Sequence, residues 1–85
     1  QLGEEAVSIL DRSVEALFKR DSPLANNCIE RTSVLMVKAD AFLDETMKKR
    51  GRVAVGLAFV IESIERTGGY SSDIAGIAIN LAEGQ

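Results

Sequence analysis

The 85-residue chain has no histidine, no tryptophan, one cysteine, one proline and four aromatic residues, three Phe and one Tyr. Without imidazole there is no Ser-His-Asp triad, no His-liganded zinc and no histidine pH switch. A single cysteine, Cys28, excludes internal disulfides, CxxC redox pairs and Cys-rich metal sites. No apolar run approaches the roughly 20 residues that cross a bilayer; the longest, 53–61, contains Gly56. No insertion into a membrane is expected. Nor does the start resemble a signal peptide. Acids outnumber bases by 13 to 10, a poor balance for gripping nucleic acid over a broad face.

What remains is apolar enough to fold, with 46% hydrophobic residues. The length suits a single domain over 1–85. A start at Gln1 rather than Met is expected for a piece cut from a longer protein. The unpaired cysteine and the missing signal point to a reduced, cytoplasmic setting.

Periodicity predicts three helices and no strands, hence an all-α antiparallel three-helix bundle with long second and third helices. The first spans about 4–20, with Leu2, Ala6, Ile9, Leu10, Ser13 and Leu17 on one face. A second set, Val7, Val14 and Phe18, lies away from that face, so this helix is expected to be covered on two sides. Asp21-Ser22-Pro23 breaks the chain, Asp21 or Ser22 serving as cap and Pro23 fitting a first turn. The second helix spans about 23–50, its stripe formed by Leu24, Cys28, Ile29, Leu35, Met36, Ala39, Phe42, Leu43 and Met47. Lys48, Lys49 and Arg50 close it, with Gly51 as a left-handed stop. The third spans about 53–82, its face carried by Leu57, Val60, Ile61, Ile64, Ile74, Ile77, Ala78 and Leu81. Gly68-Gly69 costs it about 2 kcal/mol of helix propensity. The neighbouring Ala75, Gly76 and Ala78 favour one continuous helix approached closely by another over a break.

No constellation reads as a reactive centre. Asp40 and Asp44, four apart, could chelate a cation or share a proton. Asp44 with Lys48, Glu45 with Lys49, and Glu62 with Arg66 also fit ordinary i, i+4 ion pairs. Glu62, Glu65 and Asp73 form an acidic edge, whereas a bundle carboxylate site needs acids converging from several helices. The basic knot of Lys48, Lys49, Arg50 and Arg52 lacks interleaved aromatics for base stacking. Cys28 reads as a small core residue, and Gly68-Gly69 lacks the strand and lysine of a phosphate loop.

Two stretches resemble the PhoU family. Ala16-Leu17-Phe18-Lys19-Arg20-Asp21, running through Leu24-Ala25 to Cys28-Ile29-Glu30, is similar to its helix–Asp turn–helix junction. Ile61-Glu62-Ser63-Ile64-Glu65-Arg66, running into Asp73-Ile74-Ala75-Gly76-Ile77-Ala78-Ile79-Asn80-Leu81, is similar to its closing helix. The resemblance implies one three-helix repeat of a phosphate-uptake regulator, cytoplasmic and non-catalytic, with a phosphate transporter or its sensor as a partner. It is most similar to the archaeal type that can follow an AbrB-like DNA-binding segment, with no nucleic acid contacted by the present domain. PhoU repeats often hold metal clusters through Glu/Asp-x-x-x-Asp pairs. Here the partner position of Glu65 is Gly69, and Glu30 is followed by Arg31-Thr32-Ser33-Val34-Leu35. No metal or other cofactor is therefore expected, leaving Asp40, Asp44, Glu62 and Glu65 as weak candidate ligands.

The leading expectation is a regulatory domain that acts by helix-face association through Val7, Val14 and Phe18. It would form a homo-oligomer or pack on a second PhoU-like repeat. The alternatives are a carboxylate metal-binding helical domain and a purely structural oligomerisation module.

Overall fold

The computed structural model describes residues 1–48 and 51–84, with the side chains of Thr46, Met47 and Val53 outside the description. Three helices run in order: α1 Leu2–Lys19, α2 Ser22–Met47 and α3 Arg52–Glu83. All three pack on one another in a bundle 52 Å long and 18 by 16 Å across. At 1.5 Å per residue, α1 is about 27 Å long and α3 about 48 Å. The predicted ends hold to within one or two residues, except that α2 ends at Met47, three residues before the expected 50. Lys49 and Arg50, expected to close α2, lie outside the described residues.

Local chemistry explains each boundary. Glu4 and Glu5 occupy the first turn of α1 and Lys19 its last, as the helix dipole favours. Arg20 ends α1 in the left-handed conformation (φ 51°, ψ 44°), and the Asp21 N–H returns to the Ala16 carbonyl at 2.9 Å. Asp21 then caps α2, its carboxylate accepting from the Leu24 N–H at 3.0 Å. Gly51 does have a positive φ of 78°, but its ψ of −151° is not left-handed helical. It stands at the N-cap of α3 rather than stopping α2 in the expected manner.

Ile9, Leu35 and Ile61 form the fully buried centre, with Cys28, Ser13 and Ser71. Around them the core is built largely of alanine: Ala6, Ala16, Ala25, Ala39, Ala75 and Ala78. Small side chains draw the three helices close. The buried hydroxyls need no water. Ser13 donates to the Ile9 carbonyl at 2.9 Å, Thr32 to Cys28 at 2.8 Å and Ser71 to Thr67 at 3.1 Å. The buried arc of α3 runs through Ile61, Ile64, Gly68, Ser71, Ala75 and Ala78. That arc is narrower and more small-residue than the predicted face. Val60, Ile77 and Leu81, expected to be buried, stand on the exposed side, as does Phe42 on α2.

The two central glycines of α3 differ in role. A Cβ on Gly68 would stand 2.8 Å from Met36 Cε and 3.4 Å from Thr32 Cγ2, so the absence of a side chain here lets α2 pack directly against α3. A Cβ on Gly69 would meet nothing within 4 Å. Burial around Gly68 offsets the propensity deficit, and α3 passes through without a break. Gly69→Ala is expected to stabilise the chain by about 0.5–1 kcal/mol, whereas Gly68→Val should cost about 1–3 kcal/mol through overpacking. Thermal melts followed by circular dichroism, run in dilute solution, check this. Equal melting of the two variants would contradict the packing described.

Candidate interaction face and a carboxylate pair

Helical geometry places Val7, Val14 and Phe18 on the side of α1 away from Ile9. Phe18 is 83% exposed and Val7 56%, while Val14 is half-buried. Of the charged side chains of α1, Glu5, Arg12, Glu15 and Lys19 are engaged elsewhere, whereas the exposed Asp11 stands on the same side as the stripe. Arg12 and Lys19 both grip Glu15, at 2.9 and 3.0 Å, and hold its carboxyl below the usual range. Glu5 meets Lys38 at 3.5 Å, and Arg31 donates to Ser8 at 3.5 Å, fastening α1 to α2. The Val7–Phe18 stripe therefore stays clear of these ion pairs.

The stripe does not stand alone. A shallow groove of about 300 Å³ between α1 and α3 is lined by Gly3, Val7, Val60, Ser63 and Thr67. Ser63 and Thr67 donate to the Phe59 and Ser63 carbonyls at 3.0 and 2.9 Å. With their donors satisfied within α3, these hydroxyls can lose water at little cost. Sequence spacing assigned Val60 to the core. Its true position, beside Val7, follows only from how far α3 is rotated against α1.

The acidic residues behave differently from their sequence pattern. The Glu65 carboxyl on α3 meets Asp40 on α2, so Asp40 is engaged across the helix pair. This contact, then burial and repulsion from Glu62, raises the Glu65 carboxyl above its ordinary value. Glu62 binds Arg66 at 3.0 Å, as the spacing predicts. Lys48 pairs with Glu45 at 3.5 Å, three residues away, rather than with Asp44. Among the described residues, no group of three or more Cys, Asp or Glu is placed to hold a metal ion. Cys28 is buried in the core.

The raised Glu65 has a consequence for stability. A carboxyl whose folded value lies above its unfolded one favours the folded state at low pH, and that support is lost as pH rises through the raised value. Glu65→Gln keeps a donor toward Asp40 and removes the repulsion. The variant is expected to melt above the parent at neutral pH and to approach it at acid pH, where Glu65 carries its proton and donates to Asp40 as the amide does. Parallel melts at pH 7 and pH 4 measure this; an equal difference at both would contradict the pairing.

No described helix is long and apolar enough to cross a membrane. Neither a curated protein nor a solved structure gives a significant match to the chain. The model of the PhoU domain family, however, matches residues 1–78, which take in the Asp21 turn and nearly the whole of α3. Three helices in the expected order, an all-helical bundle and this match over most of the length agree: the chain belongs to the PhoU domain family.

Proposed function

We propose that the chain is a non-catalytic regulatory domain of phosphate uptake, working in the cytoplasm by helix-face association. The observation that carries this reading is the stripe of Val7, Val14 and Phe18 on an ordered helix, with Phe18 almost fully in water. An aromatic ring held out by a rigid helix is an expensive surface unless something covers it. A second PhoU-type three-helix unit, supplied here by a second copy of the chain, covers the stripe and extends the bundle. A small domain gains by such association the burial that its own core lacks. A phosphate transporter or its sensor is then the receiver of the signal, as family membership supports.

The test is sedimentation velocity of the chain and of Val14→Asp/Phe18→Asp over micromolar concentrations. The parent should associate and the variant should lose that contact while keeping its helical content. A parent chain that stays monomeric throughout would contradict the proposal.

A further inference from the structure

We propose that the outward face of α3 is a self-complementary docking surface. A second copy of this chain packs on it antiparallel, about a two-fold axis passing between Gly69 and Tyr70. The inference rests on the reading that the domain works by helix-face association, and it adds a surface distinct from the α1 stripe.

Three observations converge on this face. The first is apolar exposure: Phe59 is 65%, Tyr70 55% and Ile77 51% in water. At 3.6 residues per turn these three lie on the side of α3 opposite Ile64, Gly68 and Ala75. The second is the charge pattern. Arg66 and Asp73 stand two helical turns apart on the same outward side. Arg66 is exposed and holds only its own Glu62, at 3.0 Å. Asp73 is exposed and has no partner among the described residues. The third is Gly69. Its neighbour Gly68 is accounted for by Met36, but nothing within one chain approaches Gly69. A helix that carries such a residue bears its cost for no gain inside the monomer.

An antiparallel two-fold arrangement satisfies all three. It sets Arg66 of each copy opposite Asp73 of the other, giving two equivalent ion pairs. It brings the two Tyr70 rings together on one flank of the contact and the two Gly69 positions together on the other, where no side chain holds the helices apart. Phe59 and Ile77 close the two ends. A parallel pairing would instead set Arg66 against Arg66. The charge pattern is thus its own complement under a two-fold rotation, as an isologous contact requires, and this identifies the occupant as a second copy. The exposed apolar side chains offer on the order of 400 Å² per copy, which places the contact at the weak end of specific interfaces. The ion pairs set its register.

Sedimentation velocity over a concentration series tests the pairing with four variants. Arg66→Asp and Asp73→Arg should each weaken self-association at least about tenfold, because each sets like charges face to face. The double variant Arg66→Asp/Asp73→Arg restores complementarity and should recover association to within about threefold. Gly69→Ala should weaken association about tenfold while raising the melting temperature of the dilute chain, opposite signs that a purely structural role cannot give. Unchanged association in either single reversal, no recovery in the double variant, or no effect of Gly69→Ala would overturn the proposal. Val14→Asp/Phe18→Asp reads the other face. An assembly that responds to this variant and ignores the α3 reversals overturns the α3 pairing and leaves the α1 reading intact. An assembly that responds only to the α3 reversals does the converse. A chain that is monomeric at every concentration overturns both.

Discussion

Leu35→Ala is expected to cost about 2–5 kcal/mol, the largest effect of any single truncation considered. Leu35 is fully buried at mid-length on α2, with Gly68 of α3 directly beside it. Six of the eleven buried hydrophobic residues of the core are alanines, which have no long side chains to swing into a void. The cavity would therefore stay open, and the cost should fall in the upper part of that range. For a domain of this size, total stability is about 4–13 kcal/mol. The melting point should drop by roughly 10–30 °C. Val37→Ala, on the exposed side of the same helix, should change stability by no more than about 0.5 kcal/mol. Thermal and urea melts of the two variants decide the matter. Similar losses in both would contradict the placement of the core.

Phe18→Ala is the second large effect, and it falls on association instead of folding. The ring is 83% exposed, so truncation removes almost no buried surface from the monomer. Its melting point in dilute solution should hold within the range of ordinary surface changes. Aromatic anchors at the centre of a contact commonly cost 2 kcal/mol or more when truncated, or about thirtyfold in affinity. Self-association should weaken by about that factor. Sedimentation equilibrium on Phe18→Ala beside its parent measures it. A stability loss comparable to that of Leu35→Ala would show that the ring belongs to the core.

Much of the fold is written in the residue pattern, and the reasons are local. Asp21 caps because its short carboxylate reaches the Leu24 N–H, and Pro23 needs no intrahelical donor in a first turn. The continuity of α3 through Gly68-Gly69 could be read from the small residues that follow, since they imply a neighbour close enough to compensate. The outer stripe of α1 was legible too, because Val7, Val14 and Phe18 cannot share a face with Ile9. Rotation between helices was not. Val60 and Leu81 lie at the edge of the arc that Ile61, Ile64 and Ala78 define, and only packing decides how far that arc is covered. Ile77, by contrast, falls opposite Ile64 by helical geometry and was misassigned to the face. The meeting of Asp40 with Glu65 escaped for the same reason. They lie on different helices, and their contact depends on an axial register set by the close approach at Gly68. Hydrophobic spacing also undervalued the small residues. Ala16, Ala25 and Ser71 are fully buried, yet they add little to an apolar stripe.

An exposed apolar helix face, not a cluster of reactive side chains, is the working surface in this account. The most direct measurement is sedimentation velocity of the parent chain against Val14→Asp/Phe18→Asp, with helical content matched by circular dichroism. The parent should sediment as more than its 9.2 kDa monomer, and the variant should sediment as a smaller species at the same concentration. Identical sedimentation of the two, or a parent that remains a monomer, would contradict it.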